Sequence, residues 1–433
     1  MAVELNKVVA EFLGTFLLVL TIALNTNPTF TVLSIAAVLM VCIYAMGPVS
    51  GGHFNPAVTL AIALLKSIDL LSAVAYVVAQ VAGAQLARYL AFVIYDRSFD
   101  LVPPYTDGLV APCFAEMAYT FMLVYVVLNV ACRKEPNQAF GLAIGGVIVA
   151  GGYGAGKVSG GAFNPAVASC FSPACMLPCF IGEIVGSVLA WFFFKYAVYC
   201  DGPQRILTTS KLCSEFLGTF MLVTTVCLNV VKGSPAGALS IGFSLACMIF
   251  ADGGVSGGNF NPAVTTALLL RGAAFDAAGG YVFCQAMGGI CGGAFAGYVA
   301  GGGPGWTPAQ PVELKVGFEE FIYTFVLCFV VLGVASVSKP ASSVFNGLTV
   351  GLCVVGGGNA ATHSGGHLNP AVSMGLMAAD GFTSLETYGL KALYFYVGMQ
   401  LLGAVMASSL FWVIFRAEFA SSAREYRILP EDA

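Results

Sequence analysis

Charge is what this chain has least of. Only 9% of its residues are Asp, Glu, Lys or Arg, against roughly 25% in an ordinary soluble domain, while 58% are hydrophobic. From Phe12 through Leu65 there is none at all. A surface so poor in water-compatible side chains excludes a soluble globular protein and makes lipid the natural solvent. The net charge of -4 and the scattered basic residues leave no footprint for nucleic acid. Cys-x-x-Cys pairs and zinc-like Cys/His spacings are missing, so the 14 cysteines point to no metal site. The nearest to a cluster is Cys170, Cys175 and Cys179, which read as packing residues. The N-terminus lacks a charged segment followed by a small-residue cleavage site, so its apolar run reads as a retained first span.

What is present is repetition. "EFLGTFLLVLTIALN", Glu11 to Asn25, returns as "EFLGTFMLVTTVCLN", Glu215 to Asn229. Asn55 returns as Asn261, Gln80 as Gln285, Glu116 as Glu320 and Asn164 as Asn369. A weaker repeat inside each copy carries "EFLGTF" to "EMAYTF" at Glu116, and to "EFIYTF" at Glu320. Two homologous modules stand in tandem, and each is made of two halves.

A membrane span needs about 20 apolar residues. Such stretches fall near residues 8–26, 31–48, 68–95, 112–132, 139–155 and 178–200, and again near 212–232, 236–252, 274–300, 316–337, 342–358 and 386–416. Six per module makes twelve spans. Three spans per half is odd, so the halves of a module lie inverted, while six is even and lets the modules share one orientation. Counting Lys and Arg favours both termini in the cytosol. The inner segments then hold Lys7, Lys66, Arg133, Lys134, Arg205, Lys211, Arg271, Lys339, Arg416, Arg424 and Arg427, and the outer ones Arg97, Lys157, Lys232, Lys315 and Lys391.

Four Asn-Pro-Ala triplets interrupt this pattern: Asn55-Pro56-Ala57, Asn164-Pro165-Ala166, Asn261-Pro262-Ala263 and Asn369-Pro370-Ala371. Each follows a Ser-Gly-Gly that allows a tight re-entrant turn. Asn is a good helix N-cap, and Pro suits the first helical position, where its missing N–H costs nothing. The pair therefore starts a helix. The apolar run after Asn55 lasts about ten residues, ~15 Å, or half a bilayer. Inversion aims the two half-helices of a module at one another near the midplane, where irregular backbone is tolerated only if buried or lining a wet path. If each Asn caps its helix with its carbonyl oxygen, both amide N–H donors stay free to face that path.

Six spans with two Asn-Pro-Ala half-helices, a Glu in the first and fourth spans and a Gln-x-x-Gly in the third resemble the aquaporin and glycerol-facilitator family over essentially the whole chain. The resemblance implies an all-α integral membrane protein of two six-helix modules, each an inverted repeat with two re-entrant half-helices. The modules would occupy residues 1–200 and 212–420, with a cytosolic linker at 201–211 and a cytosolic tail at 421–433. It implies a passive channel rather than an enzyme, with no cofactor and no metal, in the plasma membrane or an intracellular one. Half-helix dipoles oppose cations and protons in channels of this type. The family's narrowest ring falls on Ile35, Gly152, Gly161 and Val167 in the first module, and on Ile241, Gly357, Gly366 and Val372 in the second. The usual Arg is absent from both rings, which makes them wide and apolar and departs from the water-selective pattern.

The resemblance also assigns Glu11, Glu116, Glu215 and Glu320 to bracing the re-entrant loops, with His53 and His367 holding those loops. Lys157 reads as a solvated loop lysine, and Glu183 stands where the other quarters carry Gln. Family members form tetramers of single modules, so two fused chains are expected to close a pseudo-fourfold ring as a homodimer. The expected partners are the lipid bilayer, water and small neutral solutes of glycerol or urea type. A coupled transporter and a junctional membrane protein with closed pores stay open as other classes.

Overall fold

The computed structural model describes residues 3–95, 108–133, 137–198, 208–272, 277–302, 313–338, 340, 343–416 and 418, without the side chains of 384–389. Among these residues all regular structure is helical. Arg97, Lys134, Arg205, Lys339, Arg424, Arg427, the tail at 421–433 and most of the 201–211 linker lie outside them. The chain divides into two compact units, Met1–Tyr196 and Ala197–Ala433.

The first unit runs α1 (Leu5–Leu24), α2 (Thr31–Ser50), α3 (Pro56–Leu64), α4 (Leu70–Tyr95), α5 (Val110–Ala131), α6 (Phe140–Ser159), α7 (Pro165–Ala168) and α8 (Pro173–Phe192). The second repeats that order with α9 (Thr208–Val231), α10 (Gly237–Asp252), α11 (Pro262–Leu270), α12 (Ala278–Val299), α13 (Leu314–Ala335), α14 (Asn346–Ala360), α15 (Pro370–Ala379) and α16 (Thr383–Ile414). Among the described residues, ten helices are long and apolar enough to cross a membrane. α10 and α14 have 16 and 15 residues, and at 1.5 Å per residue they stop short of ~30 Å. Turns at 253–256 and 362–364 follow them. Exposed Leu71, Val74 and Val78 on α4, and Ile181, Ile184 and Val188 on α8, give those helices an apolar outer face suited to lipid.

One half-helix is shorter than its sequence suggests. α7 has four residues, against nine in α3 and α11 and ten in α15. Ser172 is extended, with ψ 149, as the residue before a proline prefers, and Pro173 takes a first helical position. α8 therefore begins at Pro173 rather than near residue 178.

The helices pair through glycines. A Cβ on Gly83 of α4 would lie 2.4 Å from the Phe12 carbonyl oxygen of α1, and one on Gly186 of α8 2.4 Å from that of Met117 in α5. Gly288 of α12 and Gly403 of α16 meet Phe216 and Phe321 in the same way, at 2.5 and 2.6 Å. The backbones approach closely where lipid offers no hydrophobic drive to association and packing must hold helices together. Gly186→Leu is expected to cost at least about 1–3 kcal/mol by overpacking against backbone. Gly156 in α6 has open space around its would-be Cβ, so Gly156→Ala is expected to be neutral or slightly stabilising. Thermal unfolding in detergent would show both.

Candidate functional site

Each re-entrant loop hangs from one buried carboxylate. Glu11 accepts hydrogen bonds from the backbone N–H of His53 (2.9 Å) and of Phe54 (2.7 Å). Glu116 takes those of Ala162 (3.0 Å) and Phe163 (2.7 Å). Glu215 takes those of Asn259 (3.0 Å) and Phe260 (2.8 Å), and Glu320 those of His367 and Leu368, both at 2.9 Å. All four glutamates are fully buried. Irregular backbone below the headgroups has no water to bond, so each carboxylate satisfies two donors that would otherwise cost about 1–3 kcal/mol apiece.

The residue after each clamp sets the geometry. Phe54, Phe163, Phe260 and Leu368 hold positive φ of 47, 50, 49 and 55 degrees, a conformation uncommon for side chains of this size. It turns the N–H of each toward its glutamate and its carbonyl toward the opposite half-helix. Asn55 Nδ2 donates to the Phe163 carbonyl (2.8 Å) and Asn164 Nδ2 to that of Phe54 (2.9 Å). Asn261 and Asn369 make the same exchange with Leu368 and Phe260, both at 2.9 Å. Each Asn Oδ1 meanwhile accepts from the alanine two residues on, at 2.8 Å for Ala57, 3.0 Å for Ala166, 2.8 Å for Ala263 and 2.9 Å for Ala371. Pro56, Pro165, Pro262 and Pro370 occupy the first helical positions. The reciprocal bond corrects the expectation of two free amide donors. One N–H of every Asn is spent joining the half-helices, which leaves one per residue.

Each pair lines a cavity inside its own unit. The first, of about 730 Å³, is lined by Asn55 and Asn164 together with Ile35, Gly152, Gly161, Val167 and His53. It extends from Thr31 and Asn25 at one end of α1 and α2 to Ala131 and Phe140 where α5 meets α6. The second, of about 470 Å³, is lined by Asn261 and Asn369 with Ile241, Gly366, Val372 and His367.

Gly357 is a correction. It packs on Leu368 and Tyr323, as Gly151 packs on Phe163 and Tyr119, whereas Gly358 lines the second cavity. α6 stays helical to Ser159 but α14 ends at Ala360. Gly358 stands eleven residues before Asn369 where Gly152 stands twelve before Asn164, so a count of twelve back from Asn369 lands one residue early. Lys157 is exposed on the last turn of α6 and is not among the described residues lining the cavity.

Three quarters share a further network that the sequence reading missed. Gln80, Gln285 and Gln400 donate to the clamp glutamates at 2.8, 2.7 and 2.7 Å, and also to the hydroxyls of Thr59, Thr265 and Ser373 on the half-helices. Four residues before each Gln, Tyr76, Tyr281 and Tyr396 donate to the carbonyls of Ser50, Ser256 and Ser364. The signal was Tyr-x-x-x-Gln, present three times. His53 Nδ1 contacts Thr59 Oγ1 at 3.0 Å and His367 Nδ1 contacts Ser373 Oγ at 2.9 Å, so both rings sit in this wall.

The remaining quarter has Ala162, Ala168, Cys179 and Glu183 at the corresponding places. With no hydroxyl on the half-helix, Glu183 accepts the backbone N–H of Asn164 (2.9 Å). Glu183→Gln keeps an acceptor for Asn164 and offers Glu116 an amide donor, so stability is expected to stay within about 1 kcal/mol of the parent. Glu183→Leu orphans the Asn164 N–H and is expected to cost about 1–3 kcal/mol in detergent melts.

The comparisons with known proteins agree with this architecture. A family model described as Major intrinsic protein matches residues 2–203, 202–362 and 314–429. Aquaporin NIP1-2 of Arabidopsis thaliana is 32% identical over 233 residues, covering 48% of this chain and 79% of that protein. Nodulin-26 of Glycine max is 34% identical over 228 residues, 48% of this chain and 83% of its own length. Glycerol uptake facilitator protein-like 6 of Lactiplantibacillus plantarum is 35% identical over 215 residues, 46% and 94% respectively. Each relative spans about half of this chain and most of itself, as one module of a tandem pair would. The chain is a multi-pass membrane protein that belongs to the major intrinsic protein family, with the family's domain repeated in tandem.

Proposed function

We propose that each module is a passive pore for water and small uncharged solutes, with its path running past its own Asn pair. The observation that carries this reading is the reciprocal Asn–carbonyl exchange on the wall of one cavity in each unit. The names of the relatives, aquaporin and glycerol uptake facilitator, support the same class of solute. Each Asn keeps one amide N–H for the passing oxygen. A water that accepts from both Asn residues has its lone pairs engaged and cannot relay a proton along the file. Two helix N-termini at this level add roughly half a positive charge each, which opposes cations and hydronium. Weak, neutral hydrogen bonding lets the solute leave as readily as it enters.

The ring residues are Ile35, Gly152, Gly161 and Val167 in one path, and Ile241, Gly358, Gly366 and Val372 in the other. Without arginine these rings admit solutes of glycerol or urea size. Two chains, each supplying two quadrants, would assemble as a homodimer resembling a tetramer of single modules; a detergent-corrected mass of one chain or of four would contradict this.

Ile35→Trp is expected to plug the first path and Ile241→Trp the second, each removing about half of the water flux of proteoliposomes in stopped-flow light scattering, and both together nearly all of it. Loss of all flux on plugging one module would overturn independent pores. Val167→Arg with Val372→Arg is expected to cut glycerol and urea flux several-fold more than water flux, because a guanidinium narrows the ring and adds directed donors.

A further inference from the structure

Three quarters of the chain pair their clamp carboxylate with an amide, and the fourth pairs it with a second carboxyl group. Gln80, Gln285 and Gln400 each give an Nε2–H to the glutamate beside them, at 2.8, 2.7 and 2.7 Å. In the remaining quarter that place belongs to Glu183 on α8, and an ionised carboxylate has no hydrogen to give. Glu183 nevertheless stands next to Glu116. The two accept consecutive backbone donors, Glu116 the N–H of Phe163 at 2.7 Å and Glu183 that of Asn164 at 2.9 Å. A Cβ on Gly182 would lie 3.1 Å from Glu116 Cβ, and both glutamates are fully buried.

Their other partners are unequal. Glu116 accepts a second N–H, that of Ala162 at 3.0 Å, as suits an anion. No donor among the described residues reaches Glu183 Oε2, which is buried. No cation is built in beside it either. α8 packs on α3, α5 and α7, and none of these four helices contains Lys or Arg. α3 and α7 have no titratable side chain, α5 brings Cys113, Glu116, Tyr119 and Tyr125, and α8 itself Cys175 and Cys179. Of these, Glu116 is the charged group that acts on Glu183. Two adjacent carboxylates away from water repel one another, and a buried charge without a partner is far less stable than a neutral acid that can donate.

We infer that Glu183 keeps a proton on Oε2 and donates that O–H to the Glu116 carboxylate, so that one re-entrant loop of the first path is held by an acid–carboxylate pair that requires this proton. The loops of the second path are held by glutamates paired with glutamines and have no such requirement. The proton sits where it governs the wall. Phe163 and Asn164, whose N–H groups the two acids hold, supply the carbonyl that Asn55 bonds and one of the two Asn side chains lining the first cavity. Loss of the proton leaves two neighbouring anions with no hydrogen between them, and their repulsion drives apart the supports of these consecutive residues. Glu183→Gln supplies permanently the donor that Glu183 supplies only when protonated.

Two measurements on the full chain test this. Infrared difference spectra at neutral pH, parent minus Glu183→Gln, are expected to show the carbonyl absorption of one protonated carboxyl group. No such difference would overturn the inference, whatever the chain conducts. The consequence for flux rests on each module being a pore. In proteoliposomes of Ile241→Trp, where the first path alone is open, water flux is expected to fall at least about threefold between about pH 7 and about pH 10, and to stay level once Glu183→Gln is added. In the Ile35→Trp chain Glu183→Gln is expected to leave the pH profile unchanged. No fall in Ile241→Trp, or the same fall with and without Glu183→Gln, would overturn the requirement for the proton. Absence of water flux from the parent at neutral pH would instead overturn the pore reading, and the infrared result would still decide where the proton is.

Discussion

Four buried carboxylates accepting hydrogen bonds from four loops are the interaction on which the rest depends. A chain that turns back at mid-membrane exposes peptide N–H groups where there is no water to take them. Glu11, Glu116, Glu215 and Glu320 take two each, and in doing so fix the residue before every Asn in the left-handed region. That conformation presents its carbonyl to the opposite half-helix, where the facing Asn donates to it. The clamp, the turn and the Asn pair therefore form one linked arrangement. Loosening the carboxylate would release the carbonyl, and with it the orientation of the Asn side chain that lines the cavity.

The architecture was legible because it is written in repeats and in punctuation. Glu11 to Asn25 returning as Glu215 to Asn229 gave the tandem, and Asn-Pro after Ser-Gly-Gly gave the start of each half-helix, since capping and φ preference are local properties. What was not legible depended on partners distant in sequence. The Asn55 amide reaches the Phe163 carbonyl, a contact no local rule specifies. Counting twelve residues back from Asn369 points to Gly357, but the spacing to the lining glycine is one residue shorter than in the first unit, and Gly358 lines the cavity. The short α7 could have been read from Ser172-Pro173. Glu183 had a visible signal, its place in the Gln series, but its partner Asn164 N–H emerged only from the packing of α8.

Inside this common frame the quarters have diverged in a physically coherent way. Where Ala168 removes the hydroxyl, Ala162 removes the polar loop side chain, Cys179 replaces the tyrosine and Glu183 replaces the glutamine. Four changes thus empty one network together, and the shared clamp glutamate survives them. The second unit diverges instead along its cavity wall, through Asn229, Asn259 and Asn346. Fusion of two modules in one chain fixes their one-to-one ratio, so such differences place two kinds of wall in every copy of the protein.

The central claim is that solute passes between Asn amides whose remaining N–H groups orient it. Water and proton flux measured on the same proteoliposomes, by light scattering and by an entrapped pH dye under a pH gradient, test it most directly. The account predicts water permeability well above that of protein-free vesicles, with a proton leak indistinguishable from theirs. A proton flux that rises in step with water flux would contradict it, because an unbroken water file could not be passing the amides as described.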